Sequence, residues 1–223
     1  MYTCDACKVD ACWSTEYDKE KLPKNCPMRE EGFFEQIMDE YMKPEINKFY
    51  VNCSAIEALG YCQWPRLREV AEFAKRMGYK KLGIGFCGGL EKEAAIVATV
   101  LRKQGFEVYS VKCKTGAIPK YKAGATVESL STPEKPIEPT EFQKTLCSEP
   151  MCNPIAQAQL LNKAGTEFNI CLGLCVGHDS LFYKYCDAPV TTLVAKDRVT
   201  GHNPVAAIYC ADTYFANRNS IED

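Results

Sequence analysis

Between Lys81 and Cys113 the chain changes period twice, and no other stretch constrains its fold as much. Residues 81–87 (KLGIGFC) are apolar without polar alternation, the pattern of a strand buried on both faces. Residues 90–104 then take the spacing of an amphipathic helix, closed by Gly105, and residues 106–113 return to strand character. Strand, helix and strand in so little chain make a β-α-β unit, whose crossover is right-handed and whose strands run parallel.

The flanking chain extends the pattern. A helix is expected over residues 33–42, a second from Pro44 to near Gly60, and a third from Pro65 to the stop at Gly78. Residues 114–147 have no periodicity and carry Pro133, Pro136 and Pro139, which predicts an irregular excursion at the strand ends. Order returns as a helix over residues 154–164 closed by Gly165, then strands over 168–175, 190–196 and 205–210. The expected fold class is α/β: a Rossmann-like three-layer fold with a mostly parallel sheet. It occupies residues 31–223 with its helical lead-in, and a small cysteine-rich N-terminal metal-binding segment, residues 1–30, precedes it. Gly83-x-Gly85-x-x-Gly88 matches a dinucleotide fingerprint, but Gly83 falls inside the strand and no acid ends the second strand to hold a ribose.

Charge narrows the partners. With 27 basic against 29 acidic residues the net charge is -2, so no global field favours nucleic acid or an anionic membrane. Residues 1–20 lack the apolar core of a signal peptide, and the strongest apolar run, residues 94–101, is too short to cross a bilayer. A cytoplasmic protein is expected, and there fourteen cysteines read as metal ligands or reactive thiols before they read as disulfides.

The cysteines fall into groups. Cys4-x-x-Cys7, with Cys12 and Cys26, can wrap a short loop around one metal ion; structural zinc sites use such spacings, and the segment is too small to bury a core of its own. Cys87, Cys113 and Cys175 each end a predicted strand, and Cys147 and Cys152 sit where the excursion returns to a helix. Carboxyl ends of parallel strands form the edge where ligands bind, so these five converge on one candidate site for zinc or an iron–sulfur cluster. Cys87, before a helix start, is also a candidate nucleophile, because the helix dipole favours its thiolate. Cys171 lies four strand residues before Cys175, about 13 Å at ~3.3 Å per residue, and cannot share an ion with it. Packing is the expectation for Cys53, Cys62, Cys171 and Cys186, while Cys210 stays open.

The only two histidines, His178 and His202, both follow glycine. Either can bind metal or carry a proton near neutral pH; His178, which Asp179 could orient, is the acid/base candidate. Lys196, Asp197 and Arg198 read either as an anion-binding rim or as a solvated charge run.

With these residues assembled, the chain resembles a family of uncharacterised cysteine-rich metal-binding proteins of archaea and anaerobic bacteria. The resemblance rests on Cys4, Cys7, Cys12 and Asn25-Cys26-Pro27, on Gly85-Phe86-Cys87, Cys113-Lys114 and Cys152-Asn153-Pro154. It continues through Gly173-Leu174-Cys175-Val176-Gly177-His178-Asp179, then Lys196-Asp197-Arg198 to Gly201-His202-Asn203-Pro204. It implies metal binding and no assigned reaction. Two functions follow as expectations: a metal-binding protein with thiolate-held zinc or iron–sulfur at both cysteine groups, or an iron–sulfur or thiol-dependent redox or lyase enzyme using the strand-end cysteines. Its partner would be a small molecule or a redox protein; the oligomeric state is open.

Overall fold

Residues 1–30 build nothing longer than one-turn 3-10 segments, at Cys4–Ala6, Ala11–Trp13, Lys19–Lys21 and Pro27–Arg29. The computed structural model describes residues 1–132 and 136–219 and divides into two units, Met1–Leu59 and Gly60–Asp223. In the first, helices α1 (Phe33–Tyr41) and α2 (Pro44–Gly60) follow the turns, as the spacing predicts. Tyr41 and Tyr50 join them through rings 4.9 Å apart. Only Leu22 and Ile56 are buried in this unit. Polar contacts tie its opening turns instead: the Arg29 guanidinium donates to the carbonyls of Leu22 (2.6 Å) and Pro23 (3.0 Å), and Asn25 Nδ2 donates to Thr3 Oγ1 (2.6 Å).

The second unit begins with helix α3 (Arg66–Met77), ended by Gly78 at φ +84°, and strand β1 (Lys81–Phe86). Helix α4 (Glu91–Lys103) and strand β2 (Glu107–Lys112) complete the β-α-β unit. Helix α5 (Glu141–Ser148), helix α6 (Pro154–Ala164), strand β3 (Phe168–Leu172), helix α7 (His178–Tyr185) and strand β4 (Val190–Val194) follow. The four strands lie in the order β2-β1-β3-β4, and every pairing is parallel. The fold is therefore mixed α/β with an all-parallel four-stranded sheet flanked by helices.

Side-chain alternation along β1 sorts the helices onto the faces. Leu82, Ile84 and Phe86 share one face; Leu82 is in register with Phe168, whose ring lies 5.3 Å from Phe73 of α3. Gly83 and Gly85 take the other. A Cβ on Gly83 would lie 2.9 Å from Leu161 of α6 and 2.0 Å from Asn169, and one on Gly85 would lie 2.5 Å from the Phe182 ring of α7. These glycines are spaces for packed side chains, so the apparent dinucleotide fingerprint has a structural cause. Burial of residues such as Phe182, Leu161 and Ile170 contributes about 1.5–3 kcal/mol each.

Three segments differ from expectation. Residues 205–210 are not a strand but helix α8 (Pro204–Tyr209), which Pro204 opens at the first helical position; helix α9 (Ala216–Asn219) follows. The apolar run Val-Ala-Ala-Ile is too short for periodicity to separate the two states. The excursion contains α5, whose capping box (Thr140 with Gln143) was present in the sequence as Thr-x-x-Gln; of its prolines, Pro133 lies outside the described residues. The stretch after Cys175 coils into α7, so β3 stops at Leu172 and Gly173, at φ +65°, turns the chain out of the sheet. No helix among the described residues is long and apolar enough to cross a membrane.

Candidate functional site

In the order β2-β1-β3-β4, the connection from β1 runs one way to β2 and the next one returns past β1 to β3. The carboxyl ends of β1 and β3 therefore flank a topological switch point, where open parallel sheets leave a crevice. Cys87 follows β1 directly and Cys113 follows β2. Cys175 comes three residues after β3, across the turn that Gly173 makes; a Cβ there would meet Leu90 at 2.9 Å.

Cys152 reaches the same crevice by backbone pinning. Met151 N donates to Ile118 O (2.7 Å) and Asn153 N donates to Cys113 O (2.7 Å), which lays residues 151–153 alongside the end of β2. Asn153 then caps α6 by accepting from Ala156 N (3.1 Å), so Cys152 sits just before a helix N-terminus. All fourteen cysteines are free thiols.

The thiols form a chain of contacts. The Cys113 thiol adjoins those of Cys87 and Cys152 closely enough to shift their titration, and Gly88 N donates to Cys113 Sγ (3.3 Å). Lys196 Nζ donates to Cys87 Sγ (3.3 Å), and Arg198 Nη2 donates to Cys175 Sγ (3.1 Å). The Cys113 contact, together with burial, pushes the Cys87 thiol up to about 12. The same Cys113, acting as donor, brings Cys152 down to about 7 against the opposing effect of burial, with Lys114 adding to the lowering. Lys114 is itself held by Glu149 (2.8 Å) and Pro150 O (2.6 Å).

Other predicted residues are placed differently. Cys147 sits on α5 with its thiol donating to Thr126 O (3.6 Å). His178 opens α7 with its backbone N–H on Cys175 O (2.9 Å), and among the described residues no hydrogen bond joins its imidazole to the four thiols. Asp179 gives its carboxylate to Ser180 N (2.8 Å) instead of orienting His178. Cys171 is core at 1% exposure, and burial pushes it up to about 12; burial likewise raises Cys186, to about 11. In the first unit, Cys4, Cys7 and Cys26 line one cavity of about 270 Å³, while Cys12 lines the neighbouring cleft with Leu22 and Met28. Among the described residues, no three His, Cys, Asp or Glu side chains close around a single point as a finished ligand set would.

Lys196 and Arg198 are the pair that spacing alone left undecided. They lie two apart just after the last strand, and both donate to crevice sulfurs while the Asp197 carboxylate accepts from Val199 N and Thr200 N. That alternation was the available signal.

The family described as Protein of unknown function (DUF1847) matches residues 26–193, a span that holds Cys26 and all four crevice cysteines. An uncharacterised protein of Methanocaldococcus jannaschii is 42% identical over 208 residues, covering 92% of this chain and 93% of that relative.

Proposed function

Since the chain belongs to the DUF1847 family, whose function is unknown, its chemistry must be argued from its own side chains, and we propose that it is a metal-binding protein with two thiolate centres. The main centre lies at the carboxyl edge of the sheet, with Cys87, Cys113, Cys152 and Cys175 as ligands to zinc or to an iron–sulfur cluster. One observation supports this reading: the Cys87, Cys113 and Cys152 sulfurs, from three separate segments, adjoin one another at the switch point with Cys175 on the same edge, and cationic and backbone N–H donors are aimed at the sulfurs. Thiolates suit zinc and iron–sulfur clusters, and N–H donors to sulfur are the usual supporting shell of such centres. Three of the sulfurs, those of Cys87, Cys113 and Cys152, stand in a row with Cys175 apart from them, so binding would draw Cys175 and Cys87 inward by rotation of their side chains.

The second centre is the amino-terminal knot, where Cys4, Cys7 and Cys26 share one cavity and Cys12 lies beside it. Its support is what the segment lacks. Residues 1–30 bury one side chain, Leu22, and chains this short are usually held by metal or disulfides.

A second reading rests on the same contact chain. Cys113 touches two thiols, so a disulfide substrate could accept both electrons: Cys113 or a neighbour attacks one substrate sulfur, and the remaining thiol resolves the mixed disulfide. The protein then holds one disulfide and two substrate thiols leave. Metal analysis of anaerobically purified protein decides between them. The metal reading expects Cys113→Ser to lose the crevice metal and the Cys4→Ser/Cys7→Ser pair to lose the other. Full metal content in both variants would contradict it, and a wild type without metal whose reduced crevice thiols convert one equivalent of a disulfide to two thiols would favour the second.

A further inference from the structure

The four thiols leave unused the segment from Lys196 to His202, which reaches the crevice from beyond the edge strand β4. Lys196 Nζ lies 3.3 Å from Cys87 Sγ, after β1, and Arg198 Nη2 lies 3.1 Å from Cys175 Sγ, after β3. One short segment thus touches sulfurs on both sides of the switch point. Gly89 lies beside both groups, where an added Cβ would make only ordinary contact with Lys196 Nζ (3.6 Å) and Cys87 Sγ (3.8 Å).

Asp197 folds the segment on itself. Its carboxylate accepts from Val199 N (2.8 Å) and Thr200 N (3.0 Å), and its carbonyl accepts from His202 N (2.7 Å). Its own N–H donates to His202 Nδ1 (3.2 Å), which assigns the imidazole proton to Nε2. His202 pays for this latch with a left-handed backbone, φ +67°. A solvated charge run would need none of these bonds.

The partners of the cations also set them apart. Lys112 and Lys114, on the same rim, are neutralised by Glu91 (2.8 Å) and Glu149 (2.8 Å). Among the described residues, Lys196 and Arg198 have no carboxylate in ion-pair reach and donate to sulfur. Charge-assisted donors gain most from an anionic acceptor, so two cations aimed at thiol sulfurs suit a metal-bound state, in which those sulfurs are thiolates. Four thiolates around a divalent ion leave two negative charges in excess, and Lys196 and Arg198 each set a positive charge directly on a sulfur, while the Asp197 carboxylate is taken up by backbone N–H groups of the segment.

We propose that residues 196–202 form a latched strap and that Lys196 and Arg198 are positioning residues, fixing the sulfurs of Cys87 and Cys175 and offsetting the excess charge of the centre. This rests on the crevice being the thiolate metal centre proposed above.

Cobalt(II) is the probe, titrated into reduced, chelator-treated full-length protein carrying Cys4→Ser and Cys7→Ser, so that the crevice alone gives the thiolate-to-cobalt charge-transfer band. Lys196→Met and Arg198→Met should each move that band to lower energy, because a thiolate relieved of its donor gives up an electron more readily, and should weaken cobalt binding roughly 10–100-fold, because the sulfur is no longer held in place and its charge no longer offset. Lys196→Arg should restore both readouts. Asp197→Ala keeps both cations but opens the latch, and should reproduce the loss. An unchanged band and affinity in both methionine variants overturns the strap while leaving the centre standing. No charge-transfer band in the parent protein overturns the centre and the strap together. Should the methionine variants lose the circular dichroism of the α/β unit, Arg198→Lys decides: a shifted band supports the strap, because one ammonium cannot reproduce the guanidinium fork, and an unshifted band overturns it.

Discussion

The two units use the same residue for opposite purposes. In Met1–Leu59 four of the five cysteines, Cys4, Cys7, Cys12 and Cys26, lie in or beside one-turn segments with Leu22 as the only buried side chain of residues 1–30, so thiol chemistry would have to stand in for a core. In Gly60–Asp223 most of the core is apolar and owes little to the crevice thiols: Leu82, Ile84, Ile170, Leu172 and Phe182 are all fully buried, Cys113 alone of the four thiols is buried with them, and Cys87, Cys152 and Cys175 sit half-buried at the rim. A metal lost from the first unit should cost its fold; one lost from the second should cost only chemistry.

That contrast can be broken most forcefully by removing metal. Chelation should abolish amide-exchange protection across residues 1–30, since structural zinc sites supply on the order of 10 kcal/mol of folding free energy, and leave the sheet protected. Loss of protection in both units, or in neither, would end the comparison.

Thiol labelling sharpens it within the α/β unit. Thiolate is the attacking species, so Cys171, raised to about 12 from the ordinary 9.0, should alkylate roughly a thousandfold more slowly than a free thiol in native, reduced protein. It should react at the ordinary rate only after unfolding, as peptide mapping would show.

Crowding the sheet tests where the core ends. Gly85→Ala would place a methyl 2.5 Å from the Phe182 ring, and should cost about 1–3 kcal/mol in denaturant unfolding of the second unit, with residues 1–30 unaffected.

The smallest effect is electrostatic. Glu167 accepts from the N–H groups of Lys80 (2.6 Å) and Lys81 (2.8 Å), which holds its carboxyl below the usual value of 4.5. A depressed pKa means that the stabilisation is complete above the ordinary carboxylate range and is lost as pH falls through the folded-state value. Glu167→Gln should therefore cost about 0.5–1 kcal/mol at pH 7, reduced by exposure to solvent, and progressively less below pH 4. Equal costs at both pH values would show that the carboxylate charge contributes nothing.

Much of the α/β unit was legible because its signals are local. Gly78, Gly105 and Gly165 stop helices with positive φ, and the apolar run of β1 has only one state compatible with its length and flanks. Where two states fit the same short apolar run, as in α8, local pattern was insufficient and Pro204 decided for the helix. The rim position of Cys87 and Cys113 followed from strand ends, and that of Cys152 from the helix cap at Asn153. The donors did not, because Lys196 meets Cys87 across 109 residues of chain and the meeting depends on β4 lying beside β3. Cys147 shows the converse: closeness in sequence to Cys152 did not bring its thiol to the same partners.

The account turns on Cys87, Cys113, Cys152 and Cys175 acting as one centre. X-ray absorption at the metal edge, on anaerobically purified protein carrying Cys4→Ser and Cys7→Ser, reads that centre alone. A first shell made of sulfur, lost in Cys113→Ser, is the predicted result. A shell of nitrogen and oxygen, or a sulfur shell indifferent to Cys113→Ser, would contradict it.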